Sequence, residues 1–203
     1  GCQTCRFLYL VVILHDREAM FVLFLPCLVR LASGGSSQPE IPSNLTNATW
    51  PNLLEFLGTS EEIWLKHSSE STGETDCYRW EKRNLTNTTY DYFNWYRKGS
   101  QKKNYKERAE LFNKSTTPGM RLLDNPTKSG KGQEYFMRYW NRTETCALFV
   151  RSENKCKQYV WRRNVENATI CDAVFDKLCG SSYPVFLTSC IRKVDICVGP
   201  SKC

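Results

Sequence analysis

Two segments decide the fold class of this 203-residue chain: TYDYFNWYR at residues 89–97 and YKERAELFN at residues 105–113. Both segments contain several aromatic residues and alternate in character with a period of two, which is the pattern of β-strands. Gly99-Ser100 lies between them and is typical of a turn. The segments therefore predict two strands separated by a turn.

The same period of two extends over most of the chain. Polar, glycine-containing stretches such as residues 71–73 and 128–132 separate the other segments. These lie at Glu62–His67, Cys77–Arg83, Glu134–Trp140, Thr145–Arg151 and Cys156–Arg163, with a less regular eighth near Met120–Leu123. Strands at regular spacing with turn signals between them predict an all-β antiparallel barrel or sandwich.

Two segments depart from this pattern and predict helices. WPNLLEFLG at residues 50–58 has a proline near its start and a glycine at its end, as a short helix does. Ala168–Leu178 has apolar residues at helical spacing and stops before Gly180, and Tyr183–Ile191 follows as an extended segment. A helix after a run of strands is the layout of a barrel with a helix packed outside it.

The N-terminal part predicts a secreted protein. Its apolar runs, Phe7–Leu14 and Phe21–Val29, are shorter than the roughly 18–20 residues that a membrane span requires. The second run follows Met20 and ends in small residues, as a secretory signal does. We predict a leader and signal peptide over residues 1–35 with the true start at Met20, a flexible glycosylated arm over 36–49, and one domain over 50–203. No membrane attachment is expected.

Cysteines and glycosylation motifs indicate the extracellular compartment. An even number of cysteines follows the leader, which in a secreted chain predicts up to four disulfides; they are Cys77, Cys146, Cys156, Cys171, Cys179, Cys190, Cys197 and Cys203. Asn-X-Ser/Thr motifs for N-glycosylation are far more frequent than chance would give; they begin at Asn44, Asn47, Asn84, Asn87, Asn113, Asn141 and Asn167.

Charge and motifs disfavour several classes of function. The formal net charge of +7 falls to about +6 without the leader, and Glu107 and neutral residues interrupt the basic stretch from Arg97 to Arg108, so a nucleic acid is not expected as partner. After the leader there is one histidine, His67, and no CxxC pair, so no metal or other cofactor is predicted. No nucleophile motif or phosphate-binding loop accompanies His67, so we predict no catalytic residues and no enzymatic activity.

The C-terminal part carries the most specific pattern. It contains CAL at residues 146–148, CKQYV at 156–160, CDAVFDKLCG at 171–180, YPV at 183–185 and Ser189-Cys190. Together with EEIWLK at 61–66 and Cys77, this pattern resembles the tick salivary lipocalins of the histamine-binding type, over roughly Trp50 to Cys190.

The resemblance implies an eight-stranded antiparallel lipocalin barrel that is secreted in saliva and traps host mediators in its cavity. Family ligands include histamine, serotonin, leukotrienes and fatty acids, and some members bind complement proteins instead. The resemblance also implies pairings for the cysteines, namely Cys77–Cys190, Cys146–Cys171, Cys156–Cys179 and, by exclusion, Cys197–Cys203.

The residues at the family's amine site differ in this chain. Amine-binding members have acidic residues at the positions of Ala147 and Lys157, and an aromatic residue at the position of Tyr159. An ammonium group buried without a carboxylate costs several kcal/mol, and a nearby lysine adds repulsion. If the family's alternation holds, Lys157, Tyr159 and Trp161 point inward beside Ala147 and Phe149. Such a cavity favours an anionic lipid, such as a leukotriene or fatty acid, over an amine.

Replacement carboxylates for an amine remain an alternative. One face of residues 89–97 carries Asp91, Phe93 and Trp95, and one face of residues 105–113 carries Glu107. Either acid could hold an amine inside an aromatic cage. The tryptophans Trp64, Trp80, Trp95, Trp140 and Trp161 could line such a cavity or fill it.

A protein-binding function is the alternative from another class. A glycosylated β-scaffold could engage a host complement, clotting or chemokine protein of plasma through its outer surface and loops. The basic residues around Lys98–Lys106 and the tail at 192–203 are the candidate contacts.

Overall fold

The computed structural model of the chain describes residues 48–123, 132–151 and 155–191, and over these residues the chain forms nine strands and two α-helices. In chain order the elements are α1 (Trp50–Gly58), β1 (Ile63–Ser68), β2 (Thr75–Leu85), β3 (Thr89–Lys98), β4 (Gln101–Lys114), β5 (Thr117–Leu123), β6 (Gly132–Asn141), β7 (Cys146–Val150), β8 (Cys156–Trp161), α2 (Thr169–Cys179) and β9 (Tyr183–Pro184). The leader, its start at Met20, most of the arm with Asn44 and Asn47, and the pairing Cys197–Cys203 lie outside the described residues and stay predictions.

Strands β1 to β8 form a closed antiparallel barrel. The sheet runs in the order β2-β3-β4-β5-β6-β7-β8-β1, and β1 also pairs with β2. Ile63 closes the ring because it lies opposite both Trp80 of β2 and Trp161 of β8. Closure pairs the strand edges that an open sheet would expose. The predicted eight-stranded barrel with an N-terminal and a C-terminal helix is confirmed.

Helix α1 plugs one end of the barrel. Thr49 caps the helix: its hydroxyl accepts a hydrogen bond from the Asn52 amide at 3.4 Å, and the Asn52 side chain accepts from the Thr49 amide at 2.9 Å. Leu53, Phe56 and Leu57 are fully buried among the inward-facing side chains. We call this end the closed end. The opposite end, where the turns at residues 69–74 and 99–100 lie, is called the mouth.

Helix α2 packs outside the barrel against β7 and β8. Its buried residues Val174 and Phe175 share an apolar cluster with Leu148 and Val160, which point outward from the two strands. Disulfides tie the helix to the same strands through Cys146–Cys171 and Cys156–Cys179, and Cys77–Cys190 ties the C-terminal segment to β2. All three pairings that the resemblance implied among the described cysteines are present.

The element bounds agree closely with the sequence prediction, with one difference. Helix α1 has the predicted bounds, and the less regular eighth strand exists as β5. The extended segment predicted over Tyr183–Ile191 is a strand only at Tyr183–Pro184, and a 3-10 turn occupies Thr188–Cys190. The chain turns there as Cys190 joins Cys77. Neither helix of the described residues is long and apolar enough to cross a bilayer.

Candidate ligand-binding site

The barrel encloses a cavity in the half of its interior that lies towards the mouth. Its volume is about 250 Å³. Six strands and the β1–β2 turn contribute to its wall, through Leu65, Thr72, Tyr78, Trp80, Asn94, Tyr105, Glu107, Leu122, Lys157 and Tyr159. The half nearer α1 is filled by packed side chains, among them Phe56, Phe149 and Trp161. The interior is therefore neither an open tube nor a solid core.

Glu107 supplies a carboxylate to this cavity. Strand β4 turns Glu107 and Ala109 towards the interior and Lys106 and Arg108 towards the outside. The Asn94 side chain of β3 donates one hydrogen bond to the Glu107 carboxylate at 2.9 Å and another to the Tyr105 hydroxyl at 3.0 Å. Across the described parts of the chain, Glu107 has no cationic partner within ion-pair distance, so its negative charge remains uncompensated.

Three buried polar atoms on strand β3 have no hydrogen-bond partner among the described residues. They are the hydroxyl groups of Tyr90 and Tyr92 and the side-chain oxygen of Asn94. Burial, and next the negative charge of Glu107, raise the pKa of Tyr92 well above its ordinary value, so its hydroxyl stays protonated. Each unsatisfied buried polar group costs about 1–3 kcal/mol. Such groups can be satisfied by a ligand that reaches them.

Aromatic rings form the floor and one wall of the cavity. Trp80 is stacked on Tyr159 with ring centroids 4.0 Å apart, and Tyr92 lies 5.2 Å from Trp80 on the other side. Tyr105 stands at the rim and is 45% exposed, and partial burial together with the charge of Glu107 raises its pKa to about 12. The faces of these rings are negative, and they attract a cation that lies against them.

Lys157 places a positive charge in the wall of the same cavity. Its ammonium nitrogen lies 5.2 Å from the centroid of the Tyr135 ring, and no carboxylate of the described residues lies within ion-pair distance of it. The hydrogen bond from Lys155, and to a lesser degree the charges of Arg151 and Lys157, lower the pKa of Glu70 in the β1–β2 turn. Lys157 is thus held at the rim, between an aromatic face and an acidic turn.

Several residues predicted for the cavity do lie inside the barrel. Trp80, Glu107, Lys157 and Tyr159 line the cavity itself. Ala147 and Phe149 also belong to the interior cluster, and both are fully buried below the cavity. Trp161 lies at the closed end, where its ring nitrogen donates to the Phe56 carbonyl at 3.1 Å.

Four predicted residues lie on the outer face, and their predicted contact with the cavity is wrong. Asp91 forms an ion pair with Arg108 at 2.5 Å, and the Phe93 ring lies beneath Arg83. Trp95 donates its ring N–H to Glu81 at 3.0 Å. Trp64 packs against Phe186 in the outer cluster beneath α2. Because neighbours in a strand face opposite sides, the interior instead receives Tyr90, Tyr92, Asn94, Ile63 and Leu65.

The cavity residues that the sequence prediction did not name include Leu65, Tyr78 and Asn94. On β3 the inward-facing residues are Tyr90, Tyr92 and Asn94. They have the same spacing as Asp91, Phe93 and Trp95 but the opposite phase. Both faces of β3 carry aromatic rings, so its composition does not indicate which face is buried. A usable signal was Leu85 and Tyr90 flanking the β2–β3 turn next to the apolar helix α1.

Two other clusters of chemically active groups have structural roles. Glu144, Cys146 and Cys171 lie close together, but the two sulfur atoms form a disulfide and the Glu144 carboxylate accepts from the amides of Ile170 and Cys171. His67 lies 3.0 Å from the Ser182 hydroxyl and 3.5 Å from Asp172. The Lys66 ammonium group forms an ion pair with the Asp172 carboxylate at 2.7 Å, so these side chains link β1 to α2.

Comparison with known proteins establishes the fold. No protein-family model and no curated protein matches the chain. The solved serotonin complex of AM182 is similar, with a TM-score of 0.51, 11% identity and coverage of 68% of this chain and 91% of that chain. The cholesterol complex of Japanin from Rhipicephalus appendiculatus matches with a TM-score of 0.46, 16% identity and coverage of 63% and 92%. The likeness to the AM182 structure concerns the fold alone, and it agrees with the eight-stranded lipocalin barrel that the resemblance implied.

Proposed function

We propose that this chain is a secreted salivary lipocalin that binds a small host mediator in the barrel cavity near the mouth. By sequestering the mediator, it suppresses inflammation without catalysis. The observation that carries the proposal is Glu107, a carboxylate that forms no ion pair within the described ranges and lies in a cavity lined with aromatic rings. AM182, with which this chain shares its fold, was solved with serotonin bound.

The groups around Glu107 favour a ligand with an ammonium group. A buried ammonium needs a carboxylate and further acceptors to replace its hydration. Glu107 supplies the carboxylate, the Asn94 oxygen and the Tyr92 hydroxyl are unpaired acceptors, and Trp80 offers a negative ring face. Ala147 leaves the family's usual acidic position neutral, but Glu107 supplies the missing charge from another strand.

The size of the cavity points in the same direction. Pockets for drug-sized ligands measure about 300–1,000 Å³. The cavity of this chain, at about 250 Å³, is smaller than that range and suits a compact aromatic amine. A lipid of twenty carbon atoms would have to displace side chains from the packed half of the barrel.

Lys157 carries the second candidate, an anionic lipid mediator such as a leukotriene or fatty acid. Its ammonium group lies at the cavity wall without a carboxylate partner in the described ranges. A lipid carboxylate could bind there while its chain lies along Tyr135 and Leu122.

Isothermal titration calorimetry with serotonin, histamine, arachidonate and a leukotriene tests the proposal. We expect submicromolar affinity for an aromatic amine and much weaker binding of both lipids. Tight lipid binding without amine binding would contradict an amine site at Glu107 and would support a lipid site at Lys157.

Native mass spectrometry after incubation with host plasma tests the protein-binding alternative. A bound protein in place of a small bound molecule would contradict sequestration in the cavity.

A further inference from the structure

The glycosylation motifs within the described residues occupy one end of the barrel. In this up-and-down barrel, successive connections alternate between the closed end and the mouth. Asn84 and Asn87 lie at the β2–β3 turn, Asn113 before the β4–β5 turn, Asn141 at the end of β6, and Asn167 in the connection from β8 to α2. All four connections lie at the closed end, and each carries at least one motif.

Contacts with α1 and between the turns place these connections together. The Lys82 ammonium group donates to the Gly58 carbonyl at the end of α1, and Arg142 forms an ion pair with Glu55 of α1 at 2.6 Å. The Leu111 amide donates to the Thr88 carbonyl at 2.8 Å, which joins the β4 end to the β2–β3 turn.

The connection after β8 reaches the same end. Asn164 donates to the Thr143 carbonyl at 3.3 Å, and the Ile170 amide donates to Glu144 at 2.9 Å, so this connection adjoins the β6–β7 turn. Asn84, Asn87, Asn113 and Asn167 are exposed, and Asn141 is half-buried.

The connections at the mouth carry no motif. The sequences of residues 69–74, 99–100, 124–131 and 151–155 contain no asparagine in a usable acceptor site. Asn125-Pro126-Thr127 has proline in its middle position, which prevents glycosylation, and Asn154-Lys155-Cys156 lacks the serine or threonine at the third position. Residues 125–127 and Asn154 lie outside the described residues.

We infer that the N-linked glycans form a cap over the closed end, and that the mouth stays free of sugar as the route by which the ligand reaches the cavity. N-glycans are bulky and hydrated, so they shield the surface around their attachment sites. The second half of this inference rests on the proposed function, because it assigns the ligand route. The first half does not depend on any ligand.

Lysine acetylation tests the cap without a ligand. The chain, secreted from eukaryotic cells, is treated with an N-hydroxysuccinimide acetate before and after enzymatic removal of the glycans, and modified peptides are mapped by mass spectrometry. Lys114 follows a motif at the closed end, whereas Lys103 lies at the mouth. We expect deglycosylation to raise acetylation of Lys114 severalfold and to leave Lys103 unchanged. Equal rises at both lysines, or unoccupied motifs, would overturn the cap.

A new acceptor at the mouth tests the route. Lys98→Asn converts Lys98-Gly99-Ser100 into a glycosylation motif at the β3–β4 turn. Lys98→Asn combined with Ser100→Ala removes the same charge and creates no motif, so it is the matched control. Asn113→Gln is the control for a glycan lost at the closed end.

The rate of serotonin association with the three variants measures whether the mouth is the route. We expect the glycosylated Lys98→Asn chain to bind serotonin much more slowly than both controls, which should bind as the parent does. An occupied mouth glycan that leaves the association rate unchanged would overturn the route. If the parent binds no serotonin or any other amine or lipid, the proposed function fails, while acetylation still decides the cap.

Discussion

At the scale of single residues, one inward-facing carboxylate determines the chemistry of the cavity. Glu107 and Asp91 were equivalent candidates by sequence, because each lies on a strand among aromatic residues. The structure separates them: Asp91 is neutralised by Arg108 outside the barrel, and Glu107 faces the cavity, where the Asn94 side chain donates a hydrogen bond to it. The two acids therefore form a matched pair for substitution.

Glu107→Gln should lower the affinity for an aromatic amine by at least about tenfold, since loss of one partner of a desolvated charge pair costs roughly 2–5 kcal/mol and about 1.4 kcal/mol is tenfold. Asp91→Asn should leave the affinity near that of the parent. Calorimetric titration of serotonin into the three proteins measures both effects. Equal losses in the two variants would contradict binding at Glu107.

Lys157→Gln should act in the opposite direction on the two ligand classes. Removal of a cation from the cavity wall takes away repulsion on an ammonium group, so amine affinity should stay equal or rise. It also takes away the candidate partner of a lipid carboxylate, so any arachidonate binding should fall. Lys155→Gln, which removes a lysine that pairs with Glu70 and does not line the cavity, is the control. An amine affinity that falls with Lys157→Gln would be inconsistent with a site centred on Glu107.

The residue-level errors of the sequence prediction have a physical origin. A strand pattern reveals its buried face only when the other face is polar. In β3 the outer face carries Phe93 and Trp95, whose rings lie against the guanidinium groups of Arg83 and Arg79. Those aromatic–cation contacts make the exterior as aromatic as Tyr90 and Tyr92 make the interior. The number of aromatic residues thus predicted a strand, but their alternation did not show which face of the strand points into the barrel.

At the scale of elements, β1 shows how packing on two sides obscures a period of two. Ile63 and Leu65 face the interior of the barrel. Trp64 and Lys66 face outward, where Phe186 and α2 cover them, so all four residues are buried. The existence of β1 was predictable from its composition. The outward orientation of Trp64 was not, because it depends on where α2 and Phe186 dock.

One largely buried ion pair adds to the apolar contacts and disulfides that dock α2. Asp172 accepts hydrogen bonds from Lys66 at 2.7 Å and from Gln158 at 2.8 Å, and Lys66 is only 8% exposed. Burial by itself would raise the pKa of Asp172, but the hydrogen bonds from His67, Lys66 and Gln158 outweigh it and hold the pKa below the ordinary value of 3.8. The ionised carboxylate is therefore the form that the fold stabilises.

Asp172→Ala should lower the free energy of unfolding by about 3 kcal/mol, because it leaves the Lys66 ammonium group buried without a partner. In the parent, a depressed carboxyl pKa contributes stability that is complete above the ordinary pKa and is lost as the pH falls below 3.8. Urea unfolding at pH 7 and at a series of acid pH values measures both effects. The variant should show a shallower loss of stability in acid. Asp176→Ala, on an exposed position of the same helix, is the control.

At the scale of the whole molecule, the barrel divides into a rigid closed end and a binding mouth. Helix α1 and the rings of Phe56, Trp140 and Trp161 fill the closed end, with centroids 5.3–6.4 Å apart. The sequence predicted the eight strands of the barrel, both helices and three disulfide pairings, since these follow from local patterns and the family resemblance. The volume of the cavity depends on how rings from eight strands meet, which no local pattern specifies.

Of the three disulfides among the described residues, Cys77–Cys190 should contribute the largest stabilisation. It closes a loop with a sequence separation of 113 residues, against 25 for Cys146–Cys171. In the chain-entropy model the longer loop restricts the unfolded chain more, by about 1 kcal/mol for this ratio of lengths. Replacing Cys77 and Cys190 by alanine should therefore lower the free energy of unfolding by about 1 kcal/mol more than replacing Cys146 and Cys171.

Urea unfolding of the two double variants and the parent measures this difference, and serotonin titration adds a second readout. Cys77 adjoins Tyr78 at the cavity, whereas Cys146 and Cys171 join β7 to α2 in the apolar cluster outside the barrel. Loss of Cys77–Cys190 should thus weaken amine binding as well as stability, and loss of Cys146–Cys171 should affect stability alone. The reverse pattern would mean that the position of α2, and not the C-terminal segment beside β2, controls the shape of the cavity.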